Sequence, residues 1–266
     1  MNAHEIRHTL QDEFRHTLRK PFMRAVRDYA LVQPGDRIAV CISGGKDSML
    51  LALLLQDLQH TVDFTLCFLA MDPGYTPEGR AQLEQNAARL ALPLEIFRTD
   101  VLRIAGRHAA GHPCFLCAKM RRGYLYAEAQ KRGCSKIALG HHYDDAIETV
   151  LMGLLYGGQV QAMLPRLAAR HYPGMELIRP LYLVRERAVQ AWADGCGLSF
   201  LPCACPAKAL QSDTKRAAVK ALIARLAAEN PQIEANILNA VKNVDTAKLL
   251  GWRDDTGAHS FLDRFR

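Results

Sequence analysis

Six consecutive residues, Ser43-Gly44-Gly45-Lys46-Asp47-Ser48, bring together two glycines, two hydroxyls, an ammonium and a carboxylate. That set suits a phosphate group. Glycine lets the backbone turn sharply and come close to a ligand, and a helix starting at the turn offers unpaired N–H groups and a positive dipole end. Ser43 and Ser48 add hydroxyl donors, and Lys46 adds a charge. Asp47 at the mouth of such a site repels phosphate unless a divalent cation bridges the two, which points to Mg2+. The pattern is not the common P-loop, which has four residues between its glycines and then Lys-Ser/Thr.

Two further groups could do chemistry. Cys114 and Cys117 form a C-x-x-C pair able to share one metal or to make a redox couple. Cys203 and Cys205, in Pro202-Cys203-Ala204-Cys205-Pro206, are candidates for the remaining ligands. Their C-x-C spacing departs from that of a zinc ribbon. A four-iron cluster on three cysteines, with one iron open, therefore stands beside a structural zinc or two separate thiol pairs as a reading. Cys41, Cys67, Cys134 and Cys196 lie in apolar runs or beside glycines and read as core thiols. Lys119, Arg121 and Arg122 sit in early helical turns against the dipole, so a nearby anion, ATP phosphate or RNA, would account for them, as would a solvated face. In Gly140-His141-His142-Tyr143-Asp144-Asp145 the carboxylates either cap a helix or, at the carboxyl end of a parallel strand, hold magnesium or orient a nucleophile.

The elements that position these groups alternate. An apolar stripe over residues 10–30 (Phe14, Leu18, Phe22, Ala25, Val26, Tyr29) predicts a basic leading helix ending near Leu31. Strands are expected at Arg37–Ile42, Val62–Met71, Leu94–Phe97 and Lys136–Leu139, with a fifth at Leu198–Leu201. Helices are expected at Asp47–Leu58, Glu78–Leu92, Leu116–Lys131 and Asp144–Tyr156. This alternation predicts an α/β fold, a parallel twisted sheet of about five strands with helices on both faces. Beyond Asp213 the pattern reads as helical only, at Ala217–Ala228 and Ile233–Val244. The expected division is a basic helical segment 1–33, a nucleotide domain 34–212 and a helical extension 213–266. That extension is a candidate for binding RNA or for building a homodimer.

The bulk composition narrows the class. With 266 residues, 49% hydrophobic and 23% charged, disordered and collagen-like chains are excluded. No apolar run spans a bilayer, the longest, Met49–Leu55, ending at Gln56-Asp57. The N-terminus is charged from His4 and lacks an apolar signal core, so a cytoplasmic protein is expected. There, eight cysteines do not read as a disulfide framework. A net charge of +7 favours an anionic partner.

Residues 43–48 resemble the pyrophosphate loop of the N-type ATP pyrophosphatases, the PP-loop superfamily. That resemblance implies cleavage of ATP between the α and β phosphates, adenylation of a substrate oxygen, and adenine resting near Val40 and Met71. Taken with Cys114-x-x-Cys117, Arg121-Arg122-Gly123, Leu139-Gly140-His141-His142, Asp144-Asp145, Glu148-Thr149, Tyr156-Gly157-Gly158, Ile178-Arg179-Pro180-Leu181 and Pro202-Cys203, the chain from about Phe14 to Cys205 resembles the tRNA 2-thiocytidine biosynthesis family. The resemblance implies tRNA as substrate, a cysteine desulfurase or sulfide as sulfur donor, and ATP with Mg2+. It implies an oxygen-sensitive four-iron cluster on Cys114, Cys117 and Cys203. It also implies ATP contacts from Arg121, Gly140 and His141, and catalysis by Asp145 or Asp144, with Arg121 and Asp47 assisting. Relatives show Pro-Cys-x-x-Cys at the third ligand, so Cys205 is a rival. Met71-Asp72-Pro73-Gly74-Tyr75 also departs from the best-known members and leaves another target base open, of the 2-thiouridine or lysidine type. An ATP- or RNA-binding protein with structural zinc is the reading outside enzymes.

Overall fold

The computed structural model describes residues 1–101, 113–200 and 214–265, with the backbone alone for 113–119 and 214. The chain divides into two compact units: Met1–Ala146 with Leu164–Thr214, and Ile147–Met163 with Lys215–Arg266.

The first unit is built on a six-stranded sheet of order β3-β2-β1-β4-β6-β5. Its strands are β1 (Arg37–Ile42), β2 (Thr65–Asp72), β3 (Leu94–Arg98), β4 (Lys136–Ala138), β5 (Arg166–Ala168) and β6 (Glu176–Ile178). All neighbours run parallel except the edge pair β5–β6, as expected for a doubly covered sheet with one antiparallel edge. Chain order runs outward from β1 through β2 to β3, then returns to β4 on the other side of β1. The switch point therefore lies between β1 and β4, where ligands bind in such sheets, at the carboxyl ends of the strands.

Eight apolar side chains drive helix α3 (Lys46–Leu58) into the core, where Met49 through Leu55 are all buried. On the opposite face, α5 (Pro113–Lys131) lays Tyr126 and Ala129 over Ala39, Cys41, Leu69 and Ile137. Helix α4 (Pro77–Arg89) connects β2 to β3 and starts at the Thr76 cap, whose hydroxyl accepts from Gly79 N–H at 3.1 Å. Helix α7 (Glu186–Gly195) packs on α3 and buries Trp192 completely.

Three expectations are corrected here. The leading helix is broken: α1 (Ala3–Gln11) is followed by a π-turn at Arg15–Arg19 and then α2 (Lys20–Asp28). Residues 198–200 carry no strand. Instead Gly197 takes φ +58°, Arg89 collects the carbonyls of Cys196 and Gly197 at 3.0 and 2.8 Å, and Asn86 Nδ2 donates to Ser199 O at 2.7 Å. Side chains of α4, rather than a ladder, hold that segment.

The second unit holds most of α6 (Tyr143–Gly157), α8 (Thr214–Glu229) and α9 (Ile233–Ala240). Within it, Arg216 bonds the buried Glu148 at 3.0 Å. The all-helical expectation for this tail fails: β7 (Gly251–Asp254) and β8 (Gly257–Ser260) form an antiparallel hairpin, with Trp252 stacked on His259 at 4.9 Å. Gly257 at φ +138° permits the turn.

Candidate active site

The phosphate loop leaves β1 at Ile42 and enters α3 at Lys46, at the switch point. Gly44 takes φ +83°, a conformation costly for any other residue. Gly45 is the N-cap, and no side chain caps the helix, so first-turn N–H groups remain available to an anion. Ser48 is buried and closes the loop on itself. Its hydroxyl accepts from Ser43 N–H at 3.1 Å and donates to Gly45 O at 2.9 Å. Ser48 thus shapes the cradle, while Ser43 is exposed at its rim.

Asp47 Oδ1 is buried and receives no hydrogen bond among the described residues. Lys46 Nζ lies 3.4 Å from it and 3.7 Å from Glu186, a distance that balances charge without saturating the carboxylate. An orphaned carboxylate oxygen beside a phosphate cradle fits a divalent cation.

Gly140, one residue after Leu139 at the end of β4, lies against this loop. A Cβ there would sit 3.1 Å from Asp47 C and Ser48 N and 3.2 Å from Asp47 O. The motif following β4 is therefore packed directly on the phosphate helix. His141 and Asp145 are half-buried beyond it. His142 N–H donates to Asp145 Oδ2 at 3.0 Å, and Asp145 N–H donates to His142 Nδ1 at 3.3 Å.

The two carboxylates divide their work. Asp144 is engaged by Arg185 at 2.9 Å and by Glu186 N–H at 2.7 Å, so it caps α7 and ties it to α6. Arg185 also lies over the Tyr143 ring at 4.9 Å. Asp144→Ala would remove the carboxylate from a part-buried guanidinium and from a helix N–H, and should destabilise the fold by about 2–3 kcal/mol, measured by urea unfolding. Asp145→Ala loses one backbone cap and should cost about 1 kcal/mol by the same measure.

Helix α5 runs antiparallel to the strand that follows it, so its first turns lie at the carboxyl edge of the sheet. Met120 and Tyr124 pack there on Met71. Positions 114 and 117 are three apart on α5 and share one face. Arg121 is half-buried one turn later and makes no ion pair among the described residues. Cys203 and Cys205 lie outside the described residues. Val40 is fully buried, its backbone in the ladders to β2 and β4, and Met71 is the penultimate residue of β2. Beyond Met71, buried Asp72 accepts from Gly74 and Tyr75 N–H at 2.8 Å each and shapes the divergent loop.

The other four cysteines lie apart from these motifs, where burial works against the thiolate. Burial pushes the Cys41 thiol up to about 12 and Cys134 up to about 11, and raises Cys67 and Cys196 as well. Burial thus disfavours the reactive thiolate at these four positions.

One residue escaped the sequence reading. Arg179 follows β6 at the same carboxyl edge, is buried, and has an Nε without a hydrogen-bond partner among the described residues. Its guanidinium donates to Leu164 O. Burial, then the neighbouring Arg122, push it down to about 10, with Asp145 opposing. It remains charged at neutral pH. Its place in Ile178-Arg179-Pro180-Leu181, an arginine in an otherwise apolar run, was the available signal.

A phosphate-cradling loop at the switch point of a parallel sheet defines a PP-loop nucleotide-binding domain, and the sequence model of that domain family matches residues 8–205. The tRNA-cytidine(32) 2-sulfurtransferase of Syntrophotalea carbinolica is 35% identical over 245 residues, 91% of this chain and 94% of that one. The Geobacter sulfurreducens protein of the same name is 38% identical over 233 residues, 85% and 89% of the two chains. This chain belongs to the tRNA-cytidine(32) 2-sulfurtransferase family. Among solved structures, the U34-tRNA thiolase NcsA from Methanococcus maripaludis, with its 4Fe–4S cluster, shares the fold at TM-score 0.67 and 21% identity, covering 85% of this chain and 79% of that one.

Proposed function

We propose that this chain thiolates a cytidine in tRNA at the expense of ATP. The observation that carries this reading is the packing of Gly140 on the first turn of α3, which brings the phosphate loop and the Asp144-Asp145 motif to one switch point. Family membership supplies the substrate class.

ATP would lie with its β and γ phosphates on the N–H groups of residues 44–48, and Asp47 would be the residue to hold Mg2+, which would offset phosphate charge there. Lys46 offsets the charge building on the departing pyrophosphate. The O2 oxygen of cytosine attacks the α-phosphorus, the bond to pyrophosphate breaks, and the base carries AMP on that oxygen. Asp145 orients the base and handles its proton. Arg121 and Arg179 supply cationic donors to the α-phosphate. Sulfide then adds at C2, the C–O bond breaks, and AMP leaves with the original oxygen, giving a thiocarbonyl.

A 4Fe–4S cluster, when bound, supplies an iron free of protein thiolate on which sulfur can be held. Cys114 and Cys117 suit it, being on one helix face at the carboxyl edge, with Cys203 as third ligand and Cys205 as rival. The protein residues bind and orient. The sulfur donor, a cysteine desulfurase or free sulfide, meets this edge in the cytosol. The C-terminal extension is the segment that would pair two copies. Among the described residues no helix is long and apolar enough to cross a membrane.

The test is the dependence of pyrophosphate release on tRNA. Wild-type protein releases pyrophosphate from ATP only with tRNA present, and Asp145→Asn lowers the rate about 100-fold or more. Equal release without tRNA, or an unaltered Asp145→Asn rate, overturns the reading.

A further inference from the structure

A cavity of about 770 Å³ opens among the π-turn Arg15–Arg19, α2, the end of α3 and the turns before β1 and β2. Its lining carries five cations, Arg15, Arg19, Lys20, Arg24 and Arg27, and no carboxylate. Leu58, the last residue of α3, lies in its floor, so it is about 18 Å along that helix from Lys46 at the phosphate loop. It belongs to the amino edge of the sheet and is separate from the site described above.

Pairing accounts for only part of this charge. Arg19 is bonded to Asp57 at 2.7 Å, and Arg27 to Asp28 at 2.8 Å. Lys20 Nζ has only His16 Nδ1 at 3.3 Å, and neither Arg15 nor Arg24 makes an ion pair among the described residues. Arg15, Lys20 and Arg24 are all exposed.

The π-turn is a second, independent sign. Nine residues of α-helix, at about 100° each, would put Arg15 and Arg24 about 180° apart. Across Arg15–Arg19 the chain instead closes i to i+5, Arg19 N–H reaching Phe14 O at 3.3 Å. Absorbing one extra residue reduces the separation to about 80° and turns both cations toward one cavity. The uninterrupted apolar stripe predicted from the sequence would not do this.

Arg15 to Arg27 extends about 18 Å along the helix axis. That is longer than one small anion and suits a row of phosphates. Arginine forks match phosphate oxygens in bidentate fashion. We propose that this basic cavity is a second RNA contact, seating backbone phosphates of the tRNA at the amino edge of the sheet while its target base is handled at the carboxyl edge. The proposal rests on the reading of tRNA as substrate.

The test uses the full chain with Arg15, Lys20 and Arg24 all replaced by Glu, and a companion with all three replaced by Gln. tRNA affinity is measured over a salt series, and ATP–Mg2+ affinity and melting temperature separately. The Glu variant should bind tRNA at least roughly tenfold more weakly near 0.1 M salt, with the salt slope reduced by about two to three. The Gln variant should show the same slope change with a smaller loss. ATP affinity should be unchanged in both. Wild-type affinity and slope in both variants would overturn the proposal. So would unchanged tRNA binding with lost binding of inorganic triphosphate, which would mark a small-anion site, or with lost sulfur transfer from a protein donor, which would mark an acidic protein partner. Failure of the wild-type protein itself to bind tRNA would instead remove the substrate reading.

Discussion

Gly140→Ala should lower tRNA-dependent pyrophosphate release about 100-fold while leaving the protein folded. The added methyl would meet Asp47 C, Ser48 N and Asp47 O at 3.1–3.2 Å, all backbone atoms of the phosphate helix. Nothing flexible is there to yield. Either the first turn of α3 or the loop after β4 must shift by several tenths of an ångström, and the in-line geometry of phosphoryl attack is lost on that scale. The overpacking itself costs about 1–3 kcal/mol, visible as a lower melting temperature. Gly35→Ala, at φ +83° with open space around it, is the comparison. It should cost a similar stability through backbone strain and leave the rate intact. If Gly140→Ala keeps the wild-type rate, the two motifs do not share one ligand.

Cys117→Ser should abolish thiolation, below about 0.1% of wild type, and remove the iron. Binding of ATP–Mg2+ should stay within about twofold, because the phosphate loop on α3 does not depend on α5 for its shape. Cys41→Ala supplies the contrast. That thiol is buried under Tyr126 and pushed up to about 12, so its loss should cost about 1–2 kcal/mol of stability and no iron. Iron and labile-sulfide analysis of anaerobically purified variants makes the distinction. Equal iron in Cys117→Ser and wild type would remove Cys117 from the ligand set.

Much of the site was legible because its signals are local. An apolar run, two glycines and a second apolar run can only be a buried strand, a tight turn and a buried helix, so β1, residues 43–48 and α3 follow from order alone. Long alternating segments such as β2 and α4 share that property. What escaped depends on distant partners. β5 and β6 are three residues each, too short to show a period of two, and Arg166 and Glu176 face each other across them at 2.7 Å as an ion pair no local pattern reveals. The expected strand at residues 198–200 was drawn from hydrophobicity, but Arg89 and Asn86 hold the backbone there instead. Asp144 and Asp145 look equivalent in sequence, and only the arrival of Arg185 and Glu186 from α7 separates a structural carboxylate from its neighbour. The π-turn was hidden because an apolar stripe tolerates one inserted residue. Arg179 was hidden because burial is invisible in sequence.

The phosphate loop and the cysteine-bearing helix both start from the carboxyl edge of one sheet, and the central claim is that they act on one base. The most direct measurement is nucleoside mass spectrometry of unmodified tRNA incubated anaerobically with the iron-loaded protein, ATP, Mg2+ and sulfide. The account predicts 2-thiocytidine, formed with one AMP and one pyrophosphate for each sulfur incorporated. Pyrophosphate release with no thionucleoside, or a thionucleoside formed without ATP, would contradict it.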